Sequence, residues 1–427
     1  MRGVAARSMP TALLYLALIA VHAGEVHAGE DDDAAALTLT GASAPPAAAG
    51  SAAFFAETAY TEAQPRAGGS ADAQRLSLEG SDDVRFAPQW RFVFADRLDL
   101  DWSGSWAGSQ QVNTLKQAYL SWQPAAELLW DAGRVNVRQG VGYGFNPTDF
   151  FRAGALRSVE SLDPNSLRDE RLGTVMVRAE TLWTNGALTA LYAPRLARGP
   201  DNAPLSPDLG ATNAAGRWLI SLTQRLAGGF SPQWLLFGTD GGAAQAGVNA
   251  TTLLGGATVA FLEASAGRSP SLYAEALDLP GAEALRARAS AGFTYSARNK
   301  LSITLEYEYD GAAPGRNGWD ALRAGDPENY GRYREFALAQ QELTTRQSVF
   351  AFAAWQDLGL RHLDWTAFVR VDLVDHSRLP WTELRYHWSH IDAAIRWQDY
   401  VGGATTDFGA ASTRQTWQAV FDYYLAL

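Results

Sequence analysis

The chain ends in the segment WQAVFDYYLAL, residues 417–427, in which an apolar or aromatic side chain occupies every second position. In an extended chain successive side chains point to opposite faces, so residues two apart share a face. The segment therefore predicts a terminal β-strand with one apolar face.

The same alternation recurs upstream, in residues 97–102, 301–310 and 363–373. In the second of these, apolar residues at odd positions alternate with polar residues at even positions. The longer segments run for about ten residues, the length that a tilted strand needs to cross a bilayer. A soluble antiparallel sheet shows the same alternation with its apolar face inward. The lengths of the connections between strands therefore have to distinguish a soluble sheet from a membrane barrel.

The connections fall into a short and a wide class. Short connections are predicted at 95–96, 124–126, 185–186, 227–229, 255–256, 296–299, 357–359 and 389–390. Wide connections are predicted at 80–83, 107–113, 137–171, 195–214, 239–247, 268–285, 311–345, 375–379 and 401–412. The two classes largely alternate, as in barrels whose tight turns all face the periplasm. Eight short and nine wide connections predict 18 strands, and 16 is the alternative because the strands at 72–80 and 246–254 are weak.

A sheet of this size has to close in lipid, because each unpaired backbone group at an open edge would cost several kcal/mol. The expected fold is therefore all-β, a closed antiparallel transmembrane β-barrel of the bacterial outer membrane. Barrels of about 16–18 strands leave an aqueous passage, whereas about eight strands would be filled by side chains.

Composition agrees with this fold class. The chain has 15 Trp, 15 Tyr and 18 Phe, which suits aromatic girdles at two membrane interfaces. A formal charge of −11 argues against a nucleic-acid partner. The absence of cysteine excludes disulfides and Cys-ligated metal or haem sites. No spacing of histidines and carboxylates resembles a ligand set, so neither a metal nor another cofactor is expected.

The N-terminal region predicts export. Residues 1–23 combine a basic start with a short apolar run and read as a signal peptide, with cleavage alternatively after residue 28. Residues 24–71 read as a flexible acidic and Ala/Pro-rich periplasmic leader, in which 53–61 is a candidate short strand. The barrel is expected to occupy residues 72–427.

The predicted inward faces carry both signs of charge. The candidate lining residues are Arg97, Asp99, Asp101, Arg178, Glu180, Glu306, Glu308, Arg370, Asp372 and Arg385. Facing basic and acidic walls would set a transverse field that selects polar or charged small solutes. The alternative is that these charges pair with one another and only stiffen the barrel.

The most individual stretch is GRVNVRQGVGYGFNPTDFFR, residues 133–152. Long irregular loops are uncommon unless they have a function or are disordered. Two interpretations of the 137–171 loop therefore stay open: it folds into the pore as a constriction, or it forms an ordered extracellular cap. The candidate constriction residues are Arg134, Arg138, Asn146, Asp149 and Arg152.

This stretch, together with NTLKQAYLSW (113–122) and the C-terminal strand, resembles a group of proteobacterial outer-membrane barrels. More loosely, it is similar to large barrels of the porin and alginate-export type. The resemblance covers most of the chain after residue 72, although Leu427 stands where many such barrels end in Phe or Trp. It implies a passive or substrate-selective channel for small polar solutes and does not identify the solute.

The expected partners are outer-membrane lipid and lipopolysaccharide, the solute itself, and the barrel-assembly machinery through the C-terminal strand. An oligomer is compatible with this interpretation. The alternative function is docking or export assembly, with the acidic leader as a contact for a periplasmic partner. A barrel-embedded hydrolase, for example with His376 beside Asp372 and Asp375, is less favoured, because adjacent residues of a strand point in opposite directions.

Overall fold

The computed structural model describes residues 52–103, 110–201, 203–226 and 230–426. The predicted signal peptide, and the predicted leader as far as residue 51, lie outside the described residues. The strands, numbered β1 to β18, are Ala53–Pro65, Ala71–Ala87, Trp90–Trp102, Gln110–Ala125, Leu128–Val135, Thr174–Trp183, Gly186–Ala193, Arg217–Gln224, Gln233–Thr239, Gln245–Leu254, Thr258–Ser269, Ala284–Ser296, Leu301–Asp310, Gln347–Trp355, Leu363–Asp372, Arg378–His387, Ile391–Asp399 and Thr413–Ala426. The helices, numbered α1 to α5, are Pro164–Asp169, Leu209–Thr212, Leu272–Ala276, Arg316–Ala324 and Pro327–Ala339.

The strands form one closed sheet. Each strand pairs with its neighbours in sequence, and β1 also pairs antiparallel with β18, from Ala53 against Ala426 to Pro65 against Thr413. This closure leaves the sheet without an exposed edge. The predicted closed antiparallel barrel of 18 strands is confirmed.

The N-terminal part of the barrel differs from the prediction in a compensating way. β1 pairs with β2 and β18, so the barrel begins at Ala53, inside the segment predicted as leader. The predicted connection at 80–83 lies within β2, and the predicted turn at 95–96 lies at a register shift within β3. Pairing along both edges outweighs the local turn preference of these polar residues. The structure has one strand more than predicted, β1, and one strand fewer in the region of β2 and β3. The total of 18 is therefore unchanged.

The two faces of the sheet differ in polarity. On β13, Ile303, Leu305 and Tyr307 are 41–42% exposed, whereas Glu306 and Glu308 on the opposite face are fully buried. Exposed apolar residues on the outside and buried polar residues inside are the reverse of a soluble protein and typical of a transmembrane barrel. In the described part of the chain, no helix is both long and apolar enough to span a membrane.

The long connections gather at one rim, opposite the two chain ends. The longest are residues 136–173, 194–216, 270–283, 311–346 and 400–412. Residues 270–283, 311–346, 373–377 and 400–412 pack together over this rim as a cap. The core of the cap includes Leu272 on α3, Trp319 on α4 and Tyr333 on α5. Tyr330 Oη donates to the carbonyl of Thr405 at 3.0 Å, which joins α5 to the last connection.

Candidate functional site

The segment 136–173, here called the inner loop, leaves the barrel wall where β5 ends. Just before this point Gly133, with φ 136°, has no room for a side chain: a Cβ there would lie 2.4 Å from the carbonyl oxygen of Ala118. From Val135 onward the chain contacts inward-facing side chains of β10 to β15, among them Asn249 and Arg370. The inner loop therefore crosses the lumen.

Two wall carboxylates hold the inner loop by its backbone. Glu263 on β11 accepts from the amide nitrogens of Val141, Gly142 and Thr148 at 2.7, 3.0 and 2.7 Å. Glu306 on β13 accepts from residues 143, 144 and 145 at 2.7, 3.1 and 3.0 Å. Both carboxyl groups are fully buried, so six amide hydrogens that would otherwise need water are satisfied by carboxyl oxygens. The carboxylates thereby fix the position of the loop.

Aromatic residues anchor the inner loop on an apolar side of the lumen. Phe150 stacks on Phe237 of β9 with ring centroids 4.4 Å apart, and Phe151 meets the same ring edge-on at 6.0 Å. The surrounding buried cluster includes Met176, Leu191 and Leu219 from β6 to β8. The part of the lumen beside β5–β9 is therefore filled by packed side chains.

The opposite side of the lumen carries a buried charge cluster at the seam where β18 meets β1. Glu57 on β1 forms ion pairs with Arg75, with Arg97 at 3.4 Å and with Arg396 at 3.8 Å. Each of these side chains is less than 10% exposed. Carboxylate and guanidinium groups at such burial depend on one another, because removing one partner leaves an uncompensated charge.

This seam cluster, defined by Glu57, Arg75, Arg97 and Arg396, extends in two directions. Arg396 contacts Glu383 at 2.5 Å, and Glu383 also contacts Arg385, which pairs with Asp422 on β18. From the inner loop, Glu160 pairs with Arg75 and Glu170 pairs with Arg97 at 3.0 Å. The cluster thus ties the inner loop to the strands that close the barrel.

A cavity of about 400 Å³ lies between inner-loop residues 158–162 and the wall strands β1–β3 and β16–β18. Its polar lining includes Arg75, Asp101, Arg396 and Gln418, and Trp381 provides an aromatic surface. Among the described residues Asp101 forms no ion pair, in contrast to the two arginines. This cavity is a polar space beside the inner loop.

The candidate lining residues occupy several environments. Asp99 pairs with Arg97 at 2.8 Å in the seam cluster, and Arg385 belongs to the extension of that cluster. Glu308 pairs with Arg370 at 2.9 Å, beside the inner loop. Three further candidates lie elsewhere: Arg178 pairs with Asp131 at 2.5 Å, Glu180 accepts from Thr189 at 3.2 Å, and Asp372 accepts from Thr345 at the cap end of β15.

The candidate constriction residues mainly brace the inner loop. Asn146 donates to the carbonyl of Gly142 at 2.7 Å, Asp149 pairs with Arg171, and Arg152 pairs with Glu342 of the 311–346 connection at 2.6 Å. Arg138 is exposed and pairs with Asp169. Arg134 donates to the carbonyl of Pro207 at 2.6 Å and does not line the polar cavity.

Among the residues that organise this site, the sequence-based candidates do not include Glu57, Arg75, Glu160 or Glu263. Glu57 lies in the segment predicted as leader, and Arg75 lies in a weak strand. Glu263 is a single acidic residue in the sequence VAFLEASAG, where nothing indicates a buried acceptor. Its signal is that of an isolated charge on a face that otherwise carries Phe261 and small residues.

The hypothetical hydrolase dyad is not assembled. Asp372 and Asp375 accept hydrogen bonds that hold the cap, from Thr345 and from Trp319 Nε1 respectively. The nearest polar partner of the His376 ring is Arg316, at 3.5 Å. Among the described residues, no group of three or more His, Asp or Glu is placed to hold a metal ion.

No protein-family model matches this chain, and no curated protein matches it in sequence. Solved structures do match. The channel OccAB1 of Acinetobacter baumannii has a TM-score of 0.54 at 12% identity, covering 88% of this chain and 96% of that chain. OpdK of Pseudomonas aeruginosa, solved with vanillate, gives 0.54 at 10% identity over 88% and 98%. OccK2 (OpdF) of the same organism, solved with glucuronate, gives 0.52 at 12% over 88% and 96%. The chain therefore has the fold of proteobacterial outer-membrane β-barrel channels.

Proposed function

We propose that this protein is an outer-membrane channel through which small polar or charged solutes diffuse. The observation that carries the proposal is the polar cavity between the inner loop and the seam strands, lined by Arg75, Asp101 and Arg396. The apolar side of the lumen is filled by Phe150 and Phe151, so the solute path follows the charged side. Opposite charges along a narrow path favour solutes with several hydrogen-bonding or charged groups.

The matching structures suggest which solutes to test first. Glucuronate and vanillate, bound to two of those channels, are small organic acids that carry hydroxyl groups. Arg75 and Arg396 supply guanidinium groups that suit a carboxylate, and Asp101 supplies an acceptor for hydroxyl groups. Liposome swelling with glucose, glucuronate and glucosamine compares neutral, anionic and cationic solutes of similar size.

Planar-bilayer recording tests the channel function directly. The purified protein is expected to give ohmic single-channel steps in potassium chloride, because a water-filled barrel of this strand number conducts ions. A silent protein that is nevertheless folded would refute the channel and favour the docking alternative.

Neutralising the unpaired cavity acid should change ion selectivity. In Asp101→Asn, the arginines of the cavity wall lose one opposing charge, so we expect the reversal potential in a salt gradient to shift toward anions. Asp320→Asn removes a carboxylate from α4 in the cap and serves as the matched control, with no expected shift. Equal reversal potentials in Asp101→Asn and the unmodified protein would place the ion path away from this cavity.

The remaining features of the proposal follow from the barrel. The exposed apolar face suits outer-membrane lipid and lipopolysaccharide, and the C-terminal strand β18 suits recognition by the barrel-assembly machinery. The protein acts without catalysis, and an alginate-export-like subtype or an oligomer is compatible with the same architecture.

The docking alternative depends on the acidic leader, and deleting residues 24–51 tests it by measuring whether conductance is retained.

A further inference from the structure

A second cavity, of about 390 Å³, lies in the cap and outside the polar space described above. Its walls come from the outer ends of β12 and β14, from α4, and from the turn into α5. The lining is mainly apolar or small, with Tyr273, Pro314 and Leu322 as its larger members. Ala321 and Asp326 are exposed at its edge, so it opens to the exterior. Cavities of this size with an apolar lining and a few polar groups are typical of small-molecule sites.

Two arginines enter this cap cavity without a carboxylate in direct contact, although Glu275 on α3 lies near enough to Arg286 to interact with it electrostatically. Arg286 is oriented by the carbonyls of Ser269 and Gly311, both at 3.1 Å, and Arg346 by the carbonyl of Ala313 at 3.3 Å. Within the described part of the chain, neither forms an ion pair. By contrast Arg288, two residues along β12, lies 3.2 Å from Asp310 and 3.5 Å from Glu342.

The one acidic side chain that lines the cavity is committed to a helix end. Asp326 accepts from the amide nitrogen of Glu328 at 3.0 Å and caps α5. The cap cavity thus combines two oriented guanidinium groups, with N–H donors left over, and an apolar wall. A guanidinium group presents donors in a planar fork that matches the geometry of an oxyanion.

We propose that the cap cavity binds a small amphipathic anion. Its oxyanion head group, a carboxylate or a phosphate, lies against Arg286 and Arg346, and its apolar body lies against Tyr273, Pro314 and Leu322. This site is separate from the proposed solute path through the lumen, so an anion can bind there without passing through the barrel.

Ligand-observed NMR titration of the protein in nanodiscs tests the site with three probes: benzoate, phenyl phosphate and benzyl alcohol. We expect saturable binding of at least one of the two anions and much weaker binding of the neutral alcohol. In the Arg286→Gln/Arg346→Gln variant, anion affinity should fall about tenfold or more, because charge-assisted hydrogen bonds are lost. The choice between benzoate and phenyl phosphate identifies the head group.

A second variant fills the cavity and keeps both arginines. Gly318→Leu places a side chain in the cavity from α4, where a Cβ meets only Pro314 Cβ at 3.2 Å, and should also abolish binding. Arg323→Gln, which changes a cap arginine that does not line the cavity, should bind as the unmodified protein does. Absence of saturable binding to the unmodified protein would overturn the proposal. So would an anion affinity in the double variant and in Gly318→Leu equal to that of the unmodified protein. Heat-modifiable mobility on gels confirms that each variant is folded.

Discussion

The Glu263→Ala/Glu306→Ala variant is expected to show a severalfold higher single-channel conductance than the unmodified protein. Glu263 and Glu306 together accept six backbone hydrogen bonds from the inner loop. Without them, six buried amide hydrogens lose their acceptors, at a cost of about 1–3 kcal/mol for each that stays buried. The loop is then expected to move away from this position in the lumen to one in which water can bond to its amide groups. The aqueous passage would become wider as a result.

Planar-bilayer recording measures this effect as conductance and as current noise. The matched control is Glu180→Gln, which removes a carboxylate that contacts Thr189 and not the inner loop. Its conductance should equal that of the unmodified protein. Deleting residues 140–150 should raise conductance in the same direction as the double variant. An unchanged conductance in both the deletion and the double variant would show that the inner loop does not limit the ion path.

The Glu57→Gln variant is expected to be the most destabilising single substitution at the barrel seam. Glu57 balances three buried guanidinium groups, and glutamine keeps its shape but not its charge. Breaking a buried ion pair by removing one partner costs about 3–5 kcal/mol. The temperature at which the barrel unfolds in detergent, seen as the loss of heat-modifiable mobility on gels, should therefore fall markedly.

Glu62→Gln provides the control on the same strand. Glu62 is exposed and pairs in register with Trp417 on β18, so the substitution leaves the seam cluster intact. Its unfolding temperature should match that of the unmodified protein. If Glu57→Gln unfolds at the same temperature as Glu62→Gln, the seam charges do not stabilise closure.

The sequence predicted the wall of the barrel better than its interior. Alternation in residues 301–310 and 363–373 identified membrane-crossing strands, because side-chain direction in a strand depends only on position along the chain. Local turn preferences were misleading at 80–83 and 95–96, where pairing on both edges keeps β2 and β3 extended. The pattern of residues 53–61 indicates only a candidate strand, and pairing with β2 and β18 is what makes this segment part of the barrel wall.

The organisation of the lumen depended on contacts between residues far apart in the chain. Glu306 accepts from Tyr143 across 163 residues, and Glu263 from Val141 across 122. A period-two pattern predicts that such a carboxylate faces inward, but it carries no information about which loop will reach it. Arg134 is a case in which a conspicuous sequence position was misleading. It belongs to the stretch 133–152 that suggested a constriction, but its guanidinium group donates to the carbonyl of Pro207 instead of lining the polar cavity.

By itself, then, the sequence predicted a closed membrane barrel of 18 strands, with 16 as the alternative, and long connections at one rim. It also predicted a long loop that either enters the lumen or caps it. The tertiary structure alone decided which side of the lumen that loop fills, which carboxylates hold it, and that Glu57 joins the two ends of the chain. The physical reason is that strand direction and facing are local properties of the backbone. The balance of buried charge, by contrast, is set by whichever groups the closed barrel brings within reach of one another.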